Sequence, residues 1–351
     1  MSIYRPNIEQ MSGYTPGEQP RGNKVIKLNT NENPYSCSPK VVEAIRHAAE
    51  AGLRKYPDPH ATAFRIRAAE VLRQDLPEIT PDWIICGNGS DDILTILVRT
   101  FAGEGDVVRF PRPSYVLYQT LCDIQAAVAE PIDFAPDWTL GPDFTQSRER
   151  LRLAFLANSN SPSGTWLSPE RVAQLATTLP CPLVVDEAYG DFAPTNCLSL
   201  VAQNERVIVT RSLSKSYALA GLRFGFAVAQ PEVIAQLNKV KDSYNCDTLA
   251  LAAATAAIDD QTWLQANRAK ILATRSRLAD GLAALGFRTL PSHANFVWCW
   301  HEKLEAKALY ERLKQAGLLV RYFDYQGWEP GLRITVGTDG EIDACLAMLG
   351  G

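Results

Sequence analysis

The sequence predicts an α/β protein, with a large domain on a mostly parallel sheet covered by helices and a smaller α+β domain at the C-terminal end. Three observations carry this. Up to about residue 235, short continuous apolar runs alternate with helix-like stretches, the pattern of strands buried on both faces. The texture then changes to a long Ala-, Leu- and Arg-rich helical stretch over 249–286, followed by shorter mixed segments. A length of 351 residues leaves room for about two domains.

Taken in order, residues 1–33 are rich in Pro, Gly and Asn and read as an extended arm. The large domain is expected over 34–238. There the strand-like DWIICG (82–87) leads into the helical DDILTILVRTFA, and DVVRF (106–110) into SYVLYQTLCDIQ. LRLAFLA (151–157) precedes a helix whose start is marked by Ser168 as cap and Pro169 in the first turn. PLVVD (182–186), RVIVT (206–210) and FGFAVA (224–229) complete the set. The small domain, 239–351, holds the helical stretch, FRTL, NFVWCW, KALYERLKQAG, LLVRYF, LRITVG and a last helix. Ligands of open α/β sheets bind beyond the carboxyl ends of the strands, so the loops there are where chemistry is sought.

Bulk properties narrow the function. With 46% apolar and 21% charged residues the composition is that of a soluble globular protein. A net charge of −4 gives no electrostatic reason for a nucleic-acid partner. The opening MSIYRPNIEQ lacks the apolar core of a signal peptide, and no apolar run is long enough to span a bilayer, so a cytoplasmic protein is expected. The 8 cysteines form no C-x-x-C pair and read as reduced, mostly buried thiols. The 4 histidines show no H-x-x-x-H spacing, and no metal is expected.

Four stretches carry candidate chemistry. Arg211-Ser212-Leu213-Ser214-Lys215-Ser216-Tyr217 lies between two strands, with Arg223 shortly after. Two hydroxyls and an arginine around one lysine suit a phosphate-bearing ligand that the lysine attacks. Spacing alone allows a solvated loop lysine equally well. Asp186-Glu187-Ala188-Tyr189 ends an apolar strand, where a carboxylate could hold a protonated pyridine nitrogen. An apolar strand ending in Asp-Glu also occurs in P-loop ATPases, but G-x-x-x-x-G-K-[ST] is absent. Ser212-x-x-Lys215 matches the nucleophile motif of penicillin-binding proteins, but K-T-G is absent. Gly87-Asn88-Gly89-Ser90-Asp91-Asp92 joins a strand to a helix, as an anion seat or a plain tight turn. It is not a dinucleotide fingerprint. Tyr115, in Pro113-Ser114-Tyr115, could stack on a flat ring or simply be half-buried.

Together, G-N-G-S-D-D, P-x-P-S-Y, N-S-P-S-G, V-V-D-E-A-Y, S-L-S-K and G-L-R-F-G resemble, in order and spacing, the motifs of fold-type I pyridoxal-phosphate aminotransferases. KLNTNENPY and GLRITVGT narrow the resemblance to the histidinol-phosphate aminotransferases, from about Tyr14 to the C-terminus. The resemblance implies pyridoxal 5'-phosphate as cofactor, joined to Lys215 as a Schiff base, with Lys215 also the proton carrier. It implies Asp186 on the pyridine nitrogen, Tyr189 on the ring hydroxyl and Tyr115 stacked on the ring. Backbone N–H groups of Ser90 and Asp91, with Ser212, Ser214 and Arg223, would take the phosphate. Tyr56 matches a tyrosine that reaches the partner subunit's site, which implies a homodimer. Where the family reads N-N-P-T-G, this chain has Asn160-Ser161-Pro162-Ser163-Gly164. Asn160 is favoured for the ring-hydroxyl contact, because an amide donor suits a phenolate oxygen better than serine.

For the substrate, Arg333 matches the arginine that grips the carboxylate of glutamate and 2-oxoglutarate, and Arg321 and Tyr14 match residues near a substrate phosphate. A guanidinium fork can bind either anion. The resemblance therefore implies ping-pong transamination between L-histidinol phosphate and 2-oxoglutarate in histidine biosynthesis. The same cofactor motifs serve aromatic amino acid aminotransferases and phosphothreonine-type decarboxylases. A non-catalytic regulatory protein of this fold is the alternative of another class, and the intact Lys215, Asp186 and Arg223 set argues against it.

Overall fold

The structure is a computed structural model that describes residues 2–13, 18 and 25–351. Its helices are α1 (Pro6–Gln10), α2 (Pro39–Ala51), α3 (Thr62–Leu72), α4 (Ser90–Phe101), α5 (Leu117–Gln125), α6 (Pro169–Thr178), α7 (Leu200–Gln203), α8 (Pro231–Val240), α9 (Thr248–Asp259), α10 (Gln261–Ala284), α11 (Ala306–Gln315) and α12 (Asp339–Gly350). The strands are β1 (Ile26–Lys27), β2 (Ile84–Gly87), β3 (Val107–Arg112), β4 (Val128–Asp133), β5 (Leu151–Ala157), β6 (Leu183–Asp186), β7 (Val207–Ser212) and β8 (Gly225–Val228) in the first part. β9 (Arg288–Thr289), β10 (Phe296–Trp300), β11 (Leu318–Leu319), β12 (Arg321–Phe323) and β13 (Gly331–Thr335) follow.

The expected architecture is present. A 7-stranded sheet has the order β2-β8-β7-β6-β5-β3-β4, and all its pairings are parallel except those of β8. Period-two alternation splits each central strand between two cores. Leu183 and Val185 join the core under α2, α3 and α6, while Val184 joins the one under α4 and α5. Covering both faces forces the strands to read as continuous apolar runs. Strand β4 escaped that signal, because it is a half-exposed edge strand interrupted by Pro131.

The second part is a 4-stranded sheet, β12-β13-β10-β9, packed against α10, α11 and α12 around its own core. Here the structure departs from the expected boundaries. The helical stretch 249–286 is broken at Asp260, whose carboxylate accepts from Ser38 Oγ at 2.5 Å and pairs with Lys40. Before the break, α9 buries Ala250, Ala253, Ala254 and Ala257 in the large-sheet core; after it, α10 puts Ile271, Leu278 and Leu282 in the small one. The packing thus changes hands at Asp260, not at residue 239. The N-terminal arm is also less uniform than expected. Pro6 opens the short helix α1, and Asn7 Nδ2 donates to the Asp123 carbonyl at 2.6 Å. β1 pairs with β11 in a separate 2-stranded sheet, which ties the arm to the C-terminal part of the chain.

A further tie joins the two parts. Trp138, buried beside the large sheet, packs on Trp328, in the loop between β12 and β13, with ring centroids 4.4 Å apart. That loop also carries Tyr325.

Candidate active site

At the carboxyl ends of the large-sheet strands lies a cavity of about 240 Å³, closed on one side by β12 and β13. Ser90, Asp91, Tyr115, Asp186, Tyr189, Ser212, Ser214, Lys215, Arg223, Arg321 and Arg333 all line it. Sequence positions more than 240 apart are thus brought to one wall-to-wall space.

Asp186 ends β6 and is buried. Its Oδ2 accepts from the Tyr118 hydroxyl at 2.8 Å; its Oδ1 accepts from Thr210 Oγ1 at 3.1 Å and the Ala188 N–H at 3.2 Å. No cation pairs with it among the described residues. Burial pushes its carboxyl above the usual range, and the bonds from Tyr118, Thr210 and Ala188 oppose that shift. Its neighbour Glu187 faces the other way, where it pairs with buried Arg211 at 2.9 Å.

Lys215 follows β7. Its Nζ donates to the Thr30 carbonyl at 3.3 Å and lies 5.8 Å from the centroid of the Tyr189 ring. The Tyr189 hydroxyl is held by Asn31 Nδ2 at 2.8 Å. Opposite, the N-cap of α4 is Gly89, which has no side chain to close the helix N-terminus. Gly89, at φ +85°, permits the turn; a Cβ there would stand 2.5 Å from Arg223 Nη2. Arg223 itself is in the left-handed region at φ 57°, a conformation that costs energy in a non-glycine residue and tends to persist at functional sites. Its guanidinium reaches Asp91 Oδ2 at 3.3 Å and Ser214 Oγ at 3.4 Å. The Tyr115 hydroxyl donates to Asp91 Oδ1 at 3.1 Å.

On the facing sheet, Arg321 and Arg333 are register partners on β12 and β13. Arg333 Nη1 donates to Ser161 Oγ at 2.8 Å and Nη2 to the Asn29 carbonyl at 3.1 Å. Arg321 makes no ion pair among the described residues. Tyr325 stands near both arginines, and burial pushes its phenol up to about 12, so it stays neutral.

These residues fit a cofactor with a protonated ring nitrogen, an aldehyde and a phosphate. A buried carboxylate without a cation, a lysine, and an uncapped helix N-terminus flanked by Ser212, Ser214 and Arg223 surround one space.

The Aminotransferase class I and II family model matches residues 23–349. A histidinol-phosphate aminotransferase of Rhodopirellula baltica is 56% identical over 346 residues, covering 99% of this chain and 94% of that one. The chain belongs to the class I and II aminotransferases, and among them to the histidinol-phosphate aminotransferase family. A relative of the same name from Geotalea daltonii is 44% identical, with 98% of each chain covered. The crystal structure of the Sinorhizobium meliloti histidinol-phosphate aminotransferase, in complex with pyridoxal-5'-phosphate, superposes with TM-score 0.89 at 28% identity, over 100% of this chain and 97% of that one.

Asn160 does not line the cavity. Its amide donates to the Pro113 carbonyl at 3.1 Å and Ser163 Oγ at 2.9 Å, and its oxygen accepts from Ser114 Oγ at 2.7 Å. With those groups spent in the core, the cavity position falls to Ser161, so the preference for Asn160 is corrected. Tyr56 is 81% exposed, stacks on Tyr244 at 4.5 Å, and does not line the cavity of its own chain. Tyr14 lies outside the described residues. Residues the sequence reading missed are Asn29, Thr30 and Asn31, Phe323 and Tyr325, and Tyr118 behind Asp186. The asparagines sat in KLNTNENPY, a signal for them in hindsight; Tyr118 had none beyond its place one helical turn after Tyr115.

Proposed function

We propose that this aminotransferase exchanges an amino group between L-histidinol phosphate and 2-oxoglutarate in histidine biosynthesis, as a cytoplasmic homodimer loaded with pyridoxal phosphate. The observation that carries the substrate reading is the Arg321–Arg333 pair, two guanidinium groups side by side in one cavity. Like charges directly opposite on paired strands repel, so the pair favours a strongly anionic occupant. Such a site accepts the phosphate of one donor and the carboxylates of the other. The names of the relatives at 56% and 44% identity support the same substrate. In favour of the dimer, Tyr56, Tyr244 and Leu53 form an exposed apolar patch that a second subunit would cover. No helix among the described residues is long and apolar enough to cross a membrane.

Bound in this cavity, pyridoxal phosphate would supply an electron sink for the charge left when the substrate carbon loses its proton. The chain's residues do the rest. Lys215 Nζ, the one lysine among the cavity's described lining residues, takes and returns the proton at that carbon. Asp186 holds the ring nitrogen protonated, and its buried setting strengthens that pairing. Tyr189, fixed by Asn31, offers its hydroxyl to the ring oxygen, and Tyr115 supplies a flat wall. Ser90, Asp91, Ser212, Ser214 and Arg223 anchor the phosphate. Arg333, braced by Ser161 and Asn29, orients the substrate anion.

The test is a half-reaction titration of the purified, cofactor-loaded protein followed by absorbance. L-Histidinol phosphate is expected to bleach the visible band at low concentration, and 2-oxoglutarate to restore it. Bleaching by phenylalanine or phosphothreonine alone would leave the cofactor site standing and refute the substrate.

A further inference from the structure

Tyr118 is fully buried on the first turn of α5, and its ring stacks on Phe155 with centroids 4.7 Å apart and planes within 1°. Phe110 and Tyr115 surround it at 5.8 and 5.7 Å. For packing, phenylalanine would serve here as well. A buried phenol needs a hydrogen-bond partner, and the partner it has is Asp186 Oδ2, at 2.8 Å.

We propose that Tyr118 is a positioning residue of the transamination site: its hydroxyl holds the Asp186 carboxylate charged and aimed, leaving one acceptor position toward the cavity. This rests on the reading that Asp186 meets the ring nitrogen of pyridoxal phosphate. An ionised carboxylate has about four acceptor positions. Thr210 Oγ1 and the Ala188 N–H occupy Oδ1, and Tyr118 occupies one position on Oδ2. The position left over is on the oxygen that Tyr118 itself fixes. Turning the carboxylate to offer anything else would break the phenol's bond, and both groups are buried. The phenol remains a donor throughout, because burial and the nearby Asp186 charge push its ionisation well above the ordinary value. The other charged or titratable groups around Asp186 come from three directions. Asp91 on α4 opposes its charge, Lys215 and Arg223 follow β7, and Tyr115 and Tyr189 stand in the cavity wall.

Tyr118 does not line the cavity, so its effect passes through Asp186. The full-length Tyr118→Phe protein, freed of cofactor, would be titrated with pyridoxal phosphate and its visible band followed against pH. The expected result is affinity weakened on the order of tenfold, the loss of one hydrogen bond to a charged group. The midpoint of the band's pH titration should move by about half a unit or more. In turnover, kcat should fall with little change in the KM of the amino donor, and the melting temperature of the cofactor-free protein should fall only by what one buried hydrogen bond contributes, since the ring is kept. Phe155→Leu is the control for packing: it disturbs the stacked ring and spares the hydroxyl. It should lower the melting temperature and leave the midpoint in place. Wild-type affinity and an unmoved midpoint in Tyr118→Phe would overturn the proposal. So would an equal midpoint shift in Phe155→Leu, which would make Tyr118 merely structural. A wild-type protein that binds no pyridoxal phosphate would sink the reading beneath and this proposal with it; normal wild-type binding with an unchanged variant sinks this proposal alone.

Discussion

Arg321 and Arg333 are direct cross-strand partners, so their side chains leave the small sheet on the same face and enter the same cavity. Two like charges so placed destabilise the strand pair by a few tenths of a kcal/mol to about 1 kcal/mol. Arg321→Gln should therefore raise the melting temperature of the ligand-free protein slightly, while weakening the phosphorylated donor. Arg333→Lys keeps the charge and loses the fork, so the KM for glutamate should rise on the order of tenfold or more. Steady-state kinetics on each variant with both substrates, beside thermal melts, separates the effects. An Arg321→Gln protein that is less stable would contradict the repulsion.

Asp186 presents the opposite electrostatic problem. Its carboxyl is raised by burial, so the folded protein binds that proton more readily than the unfolded chain does. Such a group destabilises above its folded-state pKa, and the penalty vanishes below the unfolded value near about 4. Asp186→Asn should therefore stabilise the cofactor-free protein at neutral pH, on the order of 1 kcal/mol, with the gain shrinking as pH falls. The same variant should bind pyridoxal phosphate poorly. Thermal melts across pH, with and without cofactor, read both. A loss of cofactor-free stability at neutral pH would refute the charged-carboxylate picture.

Lys215→Ala is expected to lose the visible band and turnover, by about a thousandfold or more. Tyr56→Ala should weaken cofactor binding although Tyr56 does not line its own chain's cavity. Mixing the two variants tests the subunit exchange. In a mixed dimer one site would combine Lys215 of one subunit with Tyr56 of the other. About a quarter of wild-type sites should return if subunits exchange freely. No recovery on mixing would argue against a shared site.

Asn160 and Ser161 divide stability from binding. Asn160→Ala removes a buried amide with partners in Pro113, Ser114 and Ser163, and should cost on the order of 1–3 kcal/mol with cofactor affinity little changed in the protein that remains folded. Ser161→Ala frees the Arg333 guanidinium from its brace and should raise the KM for glutamate without a comparable loss of stability. The reverse pattern would restore Asn160 to the cavity.

These residues also mark how far the sequence could be read. Leu151–Ala157 was legible end to end, because a strand buried on both faces leaves an apolar run, here broken only by the exposed Arg152. The edge strand Val128–Asp133 was not, since exposure and Pro131 remove that signal. Lys215, Asp186 and Arg223 were legible because each sits in a short motif beside a strand end. Tyr118 was not: its hydroxyl finds Asp186 only when α5 packs over β6, a contact across 68 residues. The choice between Asn160 and Ser161 turned on which way one loop residue faces, and spacing does not encode that. The break at Asp260 was hidden by good helix formers on both sides, and it appears only as a contact with Ser38.

That break has a consequence for selectivity. Lys215, Asp186 and the head of α4 are carried by the large sheet and the cores on its two faces, the arginine pair by the small sheet and its own core, and the chain crosses between them at a bend. The cavity is a calliper whose two jaws are set by different hydrophobic cores, with Trp138 on Trp328 as its stop. A donor would be measured by its span from amine to anion as well as by its charge. Substitutions at the stop, remote from every reacting atom, would then reset the length of molecule the jaws accept.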